Sequence, residues 1–200
     1  LMYQIKPFKT SFDINAGWAG RHLAGSELFA KTLAFMHFNT VHGDLHGYNQ
    51  TPAGQKYPMK GFAVYANTEV YNKPENLKYV HGVEFLGEPQ VDNRNPQEIY
   101  NKMAIYRTSG YPTTLTLSHE PGYYKYAGLV DFPHFDAYRV IAPHADKWGE
   151  YEKYNDKNTL WGAPLETVGI YMRSLHEISR PNPVAAWTQG VAGGWFNVWR

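Results

Sequence analysis

A chain of 200 residues can bury one sizeable core, and a net charge of +1, with its Lys and Arg scattered, gives no pull toward nucleic acid or an anionic membrane surface. No stretch approaches the ~20 apolar residues of a membrane span. The absence of cysteine excludes disulfides, thiolate metal sites and a cysteine nucleophile.

The opening Leu1-Met2-Tyr3-Gln4 lacks the form of a signal peptide, and the chain closes on Trp195-Phe196-Asn197-Val198-Trp199-Arg200. We expect a single domain, residues 1–200, forming part of a longer protein. Residues 12–15 read as a short first strand, followed by the loop Gly17-Trp18-Ala19-Gly20. Ser26 should cap a helix of about eleven residues with Leu28, Phe29, Leu33 and Met36 as its apolar face. Residues 39–42 read as a second strand, ending in the loop His42-Gly43-Asp44-Leu45-His46-Gly47-Tyr48-Asn49. From there to Lys60 the chain reads as polar loop. Residues 61–67 make a third strand that ends at Asn67, Thr68 and Glu69.

The fourth strand carries Tyr79, Val80, Val83, Phe85 and Leu86 and stops at Gly87-Glu88-Pro89. A helix start follows, with Asn95 as N-cap, Pro96 at the first helical position and Glu98 three residues after the cap. That helix sets Ile99, Met103 and Tyr106 on one face and stops at Gly110. Residues 112–118 form a fifth strand, with Leu115 and Leu117 alternating against threonines, and lead into Ser118-His119-Glu120-Pro121-Gly122. Asp131 and Asp136 flank Phe132-Pro133-His134 and read as turn caps. Residues 136–142 are expected as the sixth strand, leading to Pro143-His144-Ala145-Asp146-Lys147-Trp148. Pro164 opens a helix with Val168, Tyr171, Met172, Leu175 and Ile178 inside, ending before Arg180-Pro181. Residues 183–189 make the seventh strand.

Strand–helix alternation, with polar residues gathered after each strand, predicts an α/β fold with a parallel sheet. The count favours a (β/α)8 TIM-type barrel, incomplete or irregular. No Gly-x-Gly-x-x-Gly and no Gly-Lys-Ser/Thr follows the first strand, which disfavours a nucleotide fold. In a barrel the C-terminal strand ends share one mouth. They would bring together Asp44 and His46, Asn67 and Glu69, Glu88, His119 and Glu120, His144 and Asp146, and Trp187 and Gln189.

Two carboxylates facing one cleft, one protonated and one ionised, are what glycosidic-bond cleavage needs. Glu88 is the expected proton donor, because Phe85, Leu86 and Pro89 are apolar neighbours that raise a carboxyl pKa. A purely structural Glu88, capping a turn or paired with an arginine, is the competing reading. Glu120 or Asp146 is the expected second carboxylate. Aromatic side chains make 16% of the chain, more than a core alone explains, and their faces suit sugar rings. Trp187, Tyr48, Trp148, Gln189, Asn67 and His119 are the expected sugar contacts. A lumen-facing Glu84 would be functional or paired with Arg139. Arg173 and Glu177 should form a surface pair. Asn49-Gln50-Thr51 matches a glycosylation sequon.

At Gly87-Glu88-Pro89 the chain resembles the clan-A (β/α)-barrel glycoside hydrolases, whose acid/base motif is Asn-Glu-Pro. Pro183-Val184-Ala185-Ala186-Trp187-Thr188-Gln189-Gly190 is similar to a late barrel strand bearing a sugar-stacking Trp. The resemblance implies a glycosidase with Glu88 as acid/base and no required cofactor. Two departures stand out. Gly87 replaces the Asn that contacts the sugar 2-hydroxyl, and Gln189 stands where the family has its Glu nucleophile. A glutamine cannot be that nucleophile, so the second carboxylate comes from elsewhere, the mechanism inverts, or the chain only binds.

His42-Gly43-Asp44-Leu45-His46-Gly47, after an apolar strand, looks like the first metal-binding loop of calcineurin-like phosphoesterases. The other loops of that family, Gly-Asp-x-x-Asp-Arg and Gly-Asn-His-Glu, are missing. A mononuclear divalent-metal site from His42, Asp44 and His46 stays open. Otherwise the histidines bond loop carbonyls or line a sugar site. The expected function is a glycoside hydrolase acting on a polysaccharide or oligosaccharide outside the cytoplasm, extracellular or periplasmic. The alternatives are a metal-dependent hydrolase built on that loop and a non-catalytic carbohydrate-binding barrel.

Overall fold

The computed structural model describes residues 15–16, 26–42, 46–61, 64–65, 80–85, 87–90, 92–107, 110–117, 123–136 and 167–187. The chain divides into two compact units. One is Leu1–Leu86 with Asn101–Thr114, the other Gly87–Tyr100 with Leu115–Arg200.

The first unit opens on β1 (Asn15–Ala16), α1 (Glu27–Phe35) and β2 (Thr40–Val41). Ser26 caps α1 as expected, its hydroxyl accepting from the Phe29 backbone N–H at 3.2 Å. The buried face of α1 is rotated from the expected one. Ala30 and Leu33 are buried, while Leu28 is 73% and Met36 55% exposed. Ala30 and Leu33 pack with Val41, Tyr48 and Met59 into one cluster, bordered by Phe29, Ala34, Phe38, Ala53 and Tyr57.

The expected polar loop before Lys60 holds two short helices, α2 (His46–Asn49) and α3 (Pro52–Lys56). Thr51 caps α3 with its hydroxyl on the Gly54 N–H at 3.1 Å, and Pro52 sits at the helix start, where its missing N–H costs nothing. The expected third strand is found as two pieces, β3 (Lys60–Gly61) and β4 (Val64–Tyr65). β5 (Val83–Glu84) is the expected fourth strand, and Val80 just before it bridges Gly61 in parallel.

α4 (Pro96–Arg107) begins where its cap signals place it. Asn95 Oδ1 accepts from the Gln97 N–H at 2.9 Å. Ile99, Met103 and Tyr106 are all buried, which is the 3.6-residue stripe read from the sequence. β6 (Thr113–Leu117) is buried along its whole length. That suits a parallel strand covered on both faces.

The second unit adds α5 (Tyr123–Tyr126), a 3-10 turn at Ala127–Leu129, β7 (Phe132–Asp136), α6 (Thr167–Ser179) and β8 (Ala185–Trp187). Here one expectation is corrected. A strand runs over Phe132–Asp136, so Asp136 belongs to a strand and does not cap a turn, and residues 137–142 of the expected sixth strand lie outside the described residues. α6 buries Tyr171 and Leu175, with Val168, Met172 and Ile178 half-buried beside them. Phe135 on β7 packs against Tyr171, ring centroids 5.3 Å apart. Glu177 pairs with Arg180 at 2.7 Å, not with Arg173.

The strands hydrogen-bond in the orders β1-β2-β3 and β4-β5-β6-β7-β8, and every described pairing is parallel. Neighbours therefore follow chain order throughout, the winding of a (β/α) barrel. A doubly wound sheet would reverse its order at a switch point. No helix among the described residues is long and apolar enough to cross a membrane.

Candidate active site

In the second unit, Glu88 is set by a tight turn. Gly87 has φ +94°, a conformation that L side chains rarely adopt, and a Cβ built there would meet nothing within 4 Å. Backbone conformation, then, and not space, selects glycine at this position. The chain then folds back on itself, with the Arg94 N–H donating to Pro89 O at 2.8 Å and the Asn93 N–H to Gln90 O at 3.3 Å. Tyr126 pins the loop from α5 by donating its hydroxyl to Arg94 O at 2.7 Å. Arg94 itself turns to Asp92 at 3.5 Å and Glu98 at 3.6 Å. Among the described residues no cation pairs with Glu88.

Glu88 is half-buried and its carboxyl is pushed up from 4.5 to about 7. Burial is the first cause, because it penalises the anion. The negative charges of Asp136 and then Asp92 add to it. Asp136 lies at the C-terminal end of β7, the sheet end at which a parallel α/β fold gathers its chemistry. The Glu88 carboxyl thus carries its proton about half the time at neutrality, where an ordinary carboxyl has lost it. A carboxyl tuned in this way can deliver a proton to a bound group.

Trp187 stands beside Asp136 in the β7–β8 register, where His134 pairs with Ala185 and Asp136 with Trp187. Successive strand side chains alternate between faces, so His134, Asp136 and Trp187 share one. The indole is held on two sides. Its Nε1–H donates to Thr116 Oγ1 at 3.3 Å, and its ring forms a T-shaped pair with that of His134, centroids 5.4 Å apart at 81°. Trp187 as a whole is only half-buried.

The first unit holds a second polar feature. His42, just after β2, places Nε2 at 2.5 Å from Glu84 Oε2 on β5, and both side chains are almost wholly buried. Glu84 is thus paired with His42; Arg139 lies outside the described residues. Thr114 is the register partner of Glu84 on β6 and is fully buried. One ring nitrogen of His42 is committed to Glu84. Asp44 and the side chain of His46 lie outside the described residues, among which no three metal-ligating side chains gather.

Tyr48 corrects one expectation. It is buried in the core cluster, and its hydroxyl donates to Tyr57 O at 2.6 Å, so neither its ring face nor its hydroxyl is open to a sugar. Asn49 is also buried, which makes the Asn49-Gln50-Thr51 sequon unreachable in the folded chain. Glu120, Asp146, Asn67, Glu69, His119, His144, Trp148 and Gln189 lie outside the described residues. Asp136, Thr116 and His134 are the residues that the structure adds to the candidate site and that sequence reading did not put there. A signal was present: Phe132, His134 and Asp136 are two apart and end in a carboxylate, as a strand delivering an acid would.

No family model matches the sequence, and no curated protein is significantly similar to it. Among solved structures the chain is similar to a glycoside hydrolase family 17 β-1,3-glucanosyltransferase from Rhizomucor miehei, with 16% identity and a TM-score of 0.49. That match covers 90% of this chain and 71% of the other. An active-site mutant of the Rhizomucor miehei β-1,3-glucanosyltransferase in complex with laminaritriose matches over the same shares, with 15% identity and a TM-score of 0.49.

Proposed function

We propose that this chain is a carbohydrate-active domain of (β/α)-barrel type that cleaves glycosidic bonds, with Glu88 as general acid and Asp136 as the facing carboxylate. The observation that carries the reading is the half-buried carboxyl of Glu88, raised to about 7 first by burial and then by the negative charge of Asp136. Glu88 gives its proton to the glycosidic oxygen as the bond from that oxygen to the anomeric carbon breaks. Asp136, ionised, either activates the attacking water or attacks the anomeric carbon itself. The anomer of the first product distinguishes the two. Glu120 and Asp146 are the alternative second carboxylates. Trp187 stacks on a sugar ring, with Gln189, His119 and Trp148 as further contacts. The two-carboxylate chemistry requires no cofactor. Polymeric glycans are met outside the cytoplasm, so we place the activity there.

The test is turnover. The purified chain is assayed for sugar release on soluble β-glucans, mannans and xylans, alongside Glu88→Gln and Asp136→Asn. The reading expects release by the parent chain and a loss on the order of 10²–10⁴-fold in Glu88→Gln with binding retained. Full activity in Glu88→Gln sinks it. Glycan affinity without turnover in the parent chain favours the binding-only reading, for which Gln189 speaks. Stoichiometric metal, with activity lost on chelation, favours the metal loop of His42, Asp44 and His46.

A further inference from the structure

The indole of Trp187 is fixed more firmly than a core tryptophan needs. A ring that served only as packing would be buried, with its N–H turned to any convenient acceptor. Trp187 is only half-buried, and two side chains from two other strands hold it. Thr116 on β6 accepts the Nε1–H at 3.3 Å. His134 on β7 forms a T-shaped ring pair with the indole at 81° and is itself backed by Phe132, ring centroids 5.1 Å apart. The hydrogen bond fixes rotation in the ring plane, and the ring pair fixes tilt. Together they leave one orientation, beside Asp136 in the strand register.

We infer that Thr116 and His134 are positioning residues that hold Trp187 as a rigid stacking wall for a sugar ring beside Asp136, and so set how tightly the site takes its glycan. This rests on the glycosidase reading above. A wall that is oriented before binding loses less freedom when the sugar docks, so loosening it weakens binding more than it slows the chemical step. Neither residue touches the reacting bond. Both act through the indole.

The experiment uses the whole chain and the six indole N–H signals of its six tryptophans. Trp187→Phe identifies the Trp187 signal by its loss. Thr116→Val, which keeps the side-chain shape and removes the acceptor, should shift that signal, and Thr116→Ser should restore it. On the polysaccharide that the parent chain cleaves, KM should rise on the order of 3–10-fold in Thr116→Val, with kcat within about twofold and recovery in Thr116→Ser. Dissociation constants for cellotriose, mannotriose and xylotriose should follow KM. His134→Leu provides a second route to the same loosening if Thr116→Val folds poorly. An unmoved indole signal in Thr116→Val overturns the inference. So does a moved signal with unchanged KM in a chain that cleaves glycan, and this leaves the glycosidase reading standing. A parent chain that neither binds nor cleaves any glycan overturns both.

Discussion

Replacing Glu88 with glutamine removes a titrating proton while keeping the side chain's shape. The carboxyl is raised from 4.5 to about 7, burial being the larger cause and Asp136 the next. At about 1.4 kcal/mol per unit, the displacement corresponds to roughly 3 kcal/mol between the two protonation states. The group is only half-buried, so solvent screening reduces this to about 1–2 kcal/mol. The sign follows from linkage. Below about pH 4 the folded and unfolded chains both carry the proton, and the site disfavours nothing. As pH rises from 4.5 toward 7 the unfolded chain gives up its proton while the folded chain keeps it. Stability falls across that window, and the loss is complete above 7. Glutamine has no such window. Urea unfolding of both chains at pH 4 and pH 8.5 should therefore show Glu88→Gln gaining about 1–2 kcal/mol on the parent between the two conditions. The same proton shapes the rate. At pH 6 a carboxyl titrating near 7 is about 90% protonated, against about 3% for one at 4.5, a roughly 30-fold advantage as a donor. The kcat/KM profile should carry an alkaline limb near 7. A stability difference that does not change with pH, together with an alkaline limb near 4.5, would refute the buried-donor argument.

Asp136→Asn removes a negative charge that raises the Glu88 carboxyl, so the alkaline limb should move to lower pH. Burial is the larger cause of the shift, so the move should stay under about one unit, read from the same profile. Glu84→Leu leaves His42 buried without its carboxylate, and the loss should be about 2–4 kcal/mol in urea unfolding. The double variant with His42→Leu should recover part of it, since two apolar groups leave no polar atom of the pair in the core. Gly54→Ala would drive a Cβ into the carbonyl of Tyr48, a backbone atom that cannot swing away. Destabilisation of more than about 2 kcal/mol is expected, where an open helical site would gain on the order of 1 kcal/mol from the same change.

Local patterns decided much of this molecule before any packing was considered. Asn95-Pro96 with Glu98 started a helix at its observed residue, and Ile99, Met103 and Tyr106 set its buried face, because caps and 3.6-residue periodicity act within a few residues of chain. The parallel α/β class followed from alternation alone, and Glu88 was singled out because Gly87-Glu88-Pro89 follows an apolar strand. Other features depended on what the chain meets in space. Leu28 and Met36 are as apolar as Leu33, yet the core took Ala30 and Leu33, since the rotation of α1 is set by Val41, Tyr48 and Met59 and not by its own sequence. Tyr48 looked like a sugar contact in a polar loop and became core because Tyr57 offered its carbonyl. Pro133, a residue that argues against a strand by its missing N–H, hid β7 and with it Asp136. That the charge of Asp136 reaches Glu88, that Thr116 and His134 contact Trp187, and that Glu84 meets His42 across 42 positions of sequence could not be read locally. Each depends on which strands become neighbours, and chain topology fixes that only when the sheet is assembled.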